Sequence, residues 1–211
     1  MRVSHFSEIY VPVVLALALM ANQSVEVLAQ QAEPRTFIIE SDSSEFAFTV
    51  AHFGMFDVDG FFQDVSGFVE VDLIREMPLR AEIELRVKSI DTDDESRDEN
   101  LRSDEFLDAE KFPLIRFESL YVRNLKSAGE SGDGAGNYQI AGKITIFGVT
   151  KDIQVPFTFE IKEETERAII SIRAEFQLSR KDFNLSFGRF MDAIVGDKIS
   201  VTVRIVARAQ A

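Results

Sequence analysis

Apolar and polar residues alternate in short runs over most of this chain, with the period of two that a half-buried strand requires. The clearest run is residues 79–89, where Leu79, Ala81, Ile83, Leu85 and Val87 alternate with Arg80, Glu82, Glu84, Arg86 and Lys88. Residues 36–40 and 44–53 read as strands before it. The second of these sets Phe46, Phe48, Val50 and His52 on one face. Residues 65–73 resume the alternation with Val65, Val69, Val71 and Leu73. Downstream, residues 114–123 place Ile115, Phe117, Ser119 and Tyr121 on one face, and strands follow over 138–146, 153–161, 168–178 and 199–207. Pro156 marks an edge or a bulge in the third-last of them. Each strand has one wet and one dry face, which argues against a parallel sheet covered on both sides. Eight or nine such strands predict an all-β fold, an eight-stranded antiparallel barrel in preference to a sandwich.

The alternation stops over residues 89–113, where half of the residues from Asp91 to Glu110 are acidic. Ser96 and Glu99 have capping-box spacing, Ser103 can cap a second turn carrying Phe106 and Leu107, and Pro113 ends it. A short helical insert with a small apolar patch (Leu101, Phe106, Leu107) is therefore predicted. Two other stretches, 54–62 and 179–197, read as irregular and rich in phenylalanine, and 126–137 reads as a flexible hairpin tip.

Residues 1–29 read as a secretory leader, with Arg2, an apolar stretch over 9–21 and Val27-Leu28-Ala29 as the cleavage signal. Residues 30–35 read as a linker and 36–211 as one barrel domain. Export with cleavage near Ala29 predicts a soluble periplasmic protein. Removing Arg2, Glu8 and Glu26 leaves 22 basic against 34 acidic residues, a net charge of −12. That excess argues against nucleic acid or an anionic membrane surface as partner. Stable membrane insertion is not expected either. A membrane barrel needs aromatic girdles, and this chain has 3 Tyr and no Trp. A homodimer is left open.

Composition narrows the chemistry further. There is no Cys, and His52 is the one histidine outside the leader, so neither a thiolate nucleophile nor a site of several His or Cys ligands can be built. His52 shares its face with apolar residues and reads first as a core histidine. A hydrolase would have to use it, yet no G-x-S-x-G elbow is present. The run Asp91–Glu95 lacks the glycine and glutamate of a calcium loop. No cofactor is expected. The 19 Phe suit a greasy ligand recognised by shape and burial, and suit equally a solid core acting as a structural or partner-binding module. Arg97, Lys151 and Arg180 near the irregular segments are candidates to hold an acidic head group, or to pair with neighbouring acids.

Four stretches, SSEFAFTVAHFGMFDVDGFF, the SIDT…RDENLRSDEFLDAEKFP insert, GKITIFGVTKDIQVPF and SRKDFNLSFG…VGDKISVTVRI, occur in the order typical of the YceI-like family of lipid-binding barrels. The chain resembles that family from about Thr36 to Arg208. The resemblance implies a lipocalin-like barrel with a long internal pocket, export, and non-catalytic binding of polyisoprenoid chains or related amphiphiles. It matches the family's residues at His52, Gly54, Arg97, Asp98, Gly148, Thr150, Lys151, Arg180, Asp182 and Phe183. It departs at Asn100, where the insert often has His, at Phe147, where a polar residue often precedes Gly148, and at Asn184, where Gly commonly follows Phe183. Head-group preference therefore does not transfer. On this basis Phe46, Phe48, Phe117, Phe157, Phe159 and Phe176 are expected to line a pocket, together with His52 and Tyr121. Phe56, Phe183, Phe187 and Phe190 are expected near its mouth, and Arg97, Lys151 and Arg180 at the head group.

Overall fold

The computed structural model describes residues 33–52, 56–125, 136–163, 168–186, 192 and 194–210. The expected leader, the first half of the linker, Gly54, most of the 126–137 tip, and Phe187 and Phe190 lie outside the described residues. The ladder segments are β1 (Arg35–Ile39), β2 (Glu45–His52), β3 (Phe56–Phe62), β4 (Val65–Asp72), β5 (Met77–Arg86), β6 (Ile90–Asp91), β7 (Leu114–Asn124), β8 (Gly136–Ile146), β9 (Val149–Glu163), β10 (Ala168–Ser179) and β11 (Val195–Ala209). The helix α1 (Glu95–Arg102) lies between β6 and β7.

All pairings are antiparallel, and β11 closes the sheet on β1 in the order β1-β4-β5-β7-β8-β9-β10-β11. This is the eight-stranded barrel that the alternation predicts. The remaining segments β2, β3 and β6 are upper halves of kinked strands. β11 pairs with β1 through Ala207–Ala209 and with β2 through Val195–Arg204. β1 runs into β2, β3 into β4 and β5 into β6, with breaks at 41–43, 63–64 and 87–89. Three serine hydroxyls replace backbone partners at these breaks. Ser41 Oγ accepts from Val65 N at 3.1 Å and donates to Gln63 O at 3.1 Å. Ser44 Oγ serves both polar groups of Val206, and Ser89 Oγ accepts from Asp64 N at 3.0 Å and donates to Arg86 O. A hydroxyl can do both jobs because it is donor and acceptor at once.

Three local readings are corrected. Residues 54–62 were expected to be irregular, yet 56–62 form β3, paired with β2 from Ala47↔Phe61 to His52↔Phe56. Gly60 is what permits it: a Cβ there would stand 2.4 Å from the Phe48 ring, so the ring lies directly over the glycine. Two bulges then reverse side-chain direction. Leu79 is the extra residue between the Glu70↔Arg80 and Val71↔Pro78 pairs, and Leu120 the extra one between Ser119↔Gly142 and Tyr121↔Ala141. Pro78 is consequently buried in place of Leu79, and Val122 packs on the core while Tyr121 is 44 % exposed, with Arg123 over its ring. Pro156 behaves as its chemistry requires. The β9–β10 ladder ends at Phe157↔Ala174, one residue before Pro156, which has no N–H to extend it.

The half of the barrel built on β1 and β4 is solid. Phe37, Val69, Val71, Ile170 and Ala207 have no exposed surface, and Tyr138 packs on Phe157 (ring centroids 5.5 Å) and edge-on to Phe159 (5.9 Å). The Tyr138 hydroxyl donates to Glu76 O at 3.2 Å. Burial first, and then the Glu76 charge, raise its phenol above the usual value. A raised acid stabilises the fold below its unfolded pKa, about 10, and that contribution is lost as pH climbs through the folded value. Tyr138→Phe is therefore expected to cost about 1 kcal/mol at neutral pH. The difference from the parent should shrink above about pH 10, as urea unfolding at the two pH values would show. An unchanged gap at high pH would refute the assignment.

Candidate functional site

The other half of the barrel is hollow. A cavity of about 760 Å³ is walled by side chains from β2 to β5 and from β7 to β11, and α1 with its following turn lies at one end. Its floor is the solid half, met at Val69, Ala81, Phe157, Ile172 and Ile205. A core packed to ordinary density holds few voids larger than a water molecule, so a volume of this size is a built feature. Its surface is overwhelmingly apolar, supplied by alternate residues of each strand, for instance Ile153, Val155 and Phe157 on β9 and Ile172, Ala174, Phe176 and Leu178 on β10.

Five of the expected phenylalanines line it: Phe46, Phe48, Phe117, Phe157 and Phe176. Two of these rings cover glycines. Phe48 lies over Gly60, and a Cβ at Gly142 would stand 2.6 Å from the Phe117 ring. Phe159 is inward but below the floor, in the solid half. Tyr121 is turned outward by the bulge at Leu120. Phe56 is 67 % exposed and not among the lining residues. Phe183 packs with Leu107, Ile146 and Leu185 in a second apolar cluster beside the cavity. His52 ends β2, paired with Phe56 and Val195; its side chain lies outside the described residues.

The insert closes over one end and is pinned at both of its ends. Its cap is Asp94 rather than Ser96: the Asp94 carboxylate accepts from Arg97 N at 3.0 Å, which starts the helix two residues early. The Asp98 carboxylate, 3 % exposed, accepts from the Thr92 hydroxyl at 2.6 Å and from Thr92 N at 3.3 Å, and stands 3.7 Å from Arg102. That network ties α1 to the end of β6. At the far end, Phe112 packs edge-on against Phe147 and over Gly148, the two positive-φ residues of the β8–β9 turn. Leu101, Phe106 and Leu107, the patch expected of the insert, line the cavity.

Of the expected head-group cations, Arg97 and Arg180 reach the cavity wall. Lys151, paired with Ile144 across the β8–β9 hairpin, is exposed and does not. Arg180 is 1 % exposed. Its Nε donates to Gly196 O (3.0 Å), Nη1 to Leu185 O (2.7 Å) and Asp192 Oδ1 (2.8 Å), and Nη2 to Val195 O (3.1 Å). The guanidinium thus clamps the segment leading into β11, and the head-group reading gives way to a structural one. Next to it, burial pushes the Asp197 carboxyl up, but the Lys181 N–H, the Ser179 hydroxyl and the Lys181 and Arg180 charges outweigh burial and hold it below its ordinary value. Periodicity did not single out Arg80, Asn100 or Glu105, which also border the cavity. No His/Cys/Asp/Glu grouping among the described residues is arranged to hold a metal ion, and no described helix is long and apolar enough to cross a membrane.

The chain is thus a closed antiparallel barrel, hollow in one half and capped by a short insert. The YceI-like domain model matches residues 37–207, and the chain belongs to that family. A UPF0312 protein of Pseudomonas fluorescens is 29 % identical over 83 % of this chain and 87 % of its own, and one of Pseudomonas savastanoi pv. phaseolicola is 30 % identical over 68 % and 72 %. Among solved structures, Burkholderia cenocepacia BcnA superposes with a TM-score of 0.66 at 21 % identity, covering 80 % of this chain and 99 % of its own. A polyisoprenoid binding domain from Saccharophagus degradans gives 0.62 at 12 % identity, covering 82 % and 98 %. At these identities the superpositions establish the shared fold.

Proposed function

We propose that this protein is a non-catalytic carrier that holds the hydrocarbon chain of a long isoprenoid or similar amphiphile in the hollow half of its barrel. The observation that carries the reading is the apolar cavity of about 760 Å³ above a packed floor. A dry cavity of about 150 Å³ accommodates one benzene, or about 25 Å³ per carbon, so this one has room for about 30 carbons. Burying several hundred Å² of chain at about 25 cal/mol per Å² would contribute on the order of 10 kcal/mol before ordering costs. The family membership and the fold shared with the Saccharophagus domain support the same reading. The leader pattern of residues 1–29 supports export to the periplasm.

Mass spectrometry of an organic extract of the purified protein, followed by rebinding to stripped protein, tests the proposal. In a series of isoprenoid alcohols of about 10 to 40 carbons, affinity should rise with length and level off near about 30, with little dependence on salt. Affinity independent of length, or abolished by salt, would overturn it.

A further inference from the structure

The polar groups around the cavity indicate which head group the site accepts; this inference rests on the carrier reading above. Among the described residues three arginines border the cavity, and each already faces a carboxylate. Arg80 bonds Glu82, with Glu70 at 3.9 Å. Arg97 gives Nε and Nη2 to the Thr92 hydroxyl and carbonyl, and its Nη1 stands 3.8 Å from Asp94. Arg180 is held by Asp192 and three backbone carbonyls. An incoming phosphate would compete with a bonded carboxylate at Arg80 and Arg180, and at Arg97 it would enter a place where Asp94 already stands 3.8 Å away.

The capping segment adds a field of the same sign as such a head. Between Asp91 and Glu110 there are ten acidic residues against two arginines, a net −8 out of the chain's −13. Glu105 belongs to that set, borders the cavity, is exposed, and its carboxylate has no partner among the described residues. Asn100 stands two residues before the end of α1, exposed and bordering the cavity. Its backbone carbonyl accepts from Ser103, whereas its side-chain amide has no protein partner among the described residues. An unengaged amide presents both a donor and an acceptor without net charge.

We infer that the site selects uncharged amphiphiles, whose carbonyl, hydroxyl or amide head pairs with the Asn100 side chain, and rejects chains ending in phosphate. The chain supplies the affinity, and the acidic rim sets the discrimination, because like charges brought together at a binding site oppose association.

Two probes with the same chain, geranylgeraniol and geranylgeranyl monophosphate, separate the alternatives when titrated into stripped full-length protein at low and high salt. The alcohol should bind at least about tenfold tighter at low salt, and the gap should narrow as salt screens the rim. Glu105→Gln should narrow it as well, and Asn100→Lys should reverse the order. Phosphate binding as tightly as the alcohol at low salt, and weakening as salt is added, would overturn the inference and leave the carrier reading standing. If neither probe binds, the carrier reading falls, and this inference with it.

Discussion

Arg180→Met is expected to lower the free energy of unfolding by about 3–5 kcal/mol, the range for removing one partner of a buried charged network. The substitution keeps much of the side chain's length and apolar stem but takes away four hydrogen bonds. The carbonyls of Leu185, Val195 and Gly196 and the Asp192 carboxylate would be left to compete for whatever water can enter. Lysine should restore only part of the loss, since a single ammonium cannot span acceptors arranged around a planar fork. Urea unfolding measures the effect. Had this arginine been a head-group ligand, the same change would reduce affinity and leave stability alone. That pattern would refute the clamp.

Ala174→Phe is expected to weaken binding of the longest chains by at least about tenfold while shorter chains bind as before. Ala174 borders the cavity between Phe157 and Val203, its cross-strand neighbours. A phenyl ring placed there takes the room of about six chain carbons. At about 0.8 kcal/mol for each buried methylene, the gross loss is about 5 kcal/mol, of which a shorter contact path along the wall recovers a part. The length at which affinity levels off should move down by a similar number of carbons. Titration with the isoprenoid series, alongside an unfolding curve, separates this from simple damage, since overpacking costs about 1–3 kcal/mol of stability. A folded variant with an unshifted length limit would mean that the chain does not lie in this cavity.

Much of the architecture is legible along the chain because a strand's two faces alternate whatever the fold around it. Ile153, Val155 and Phe157 could be assigned to one inner face from their spacing, and all three border the cavity. The bulges were not legible in this way. One inserted residue leaves the composition of a strand unchanged, so Leu79 and Tyr121 were placed inside when they belong elsewhere. β3 was misread for a related reason: a glycine and clustered aromatics look irregular until Phe48 is seen covering Gly60. Sequence spacing also suggested Ser96 as the helix cap, but Asp94 presents the carboxylate that meets Arg97 N.

The alternation of wet and dry faces within most strands, the antiparallel β class and the existence of a helical insert were determined by the sequence alone, since each shows in residues within a few positions of one another. Whether the inward phenylalanines interlock or stand apart was decided only in three dimensions. Phe159 and Phe157 are two residues apart on one strand, yet one lies within the packed half and the other on the cavity floor. The fate of the arginines was settled in the same way. Arg180 meets Asp192, Val195 and Gly196, 12 to 16 residues further along the chain, and no spacing rule says whether a cation will face a ligand or its own chain. Empty space and charge pairing both arise from distances between segments that the barrel brings together, and a linear pattern holds no record of those distances.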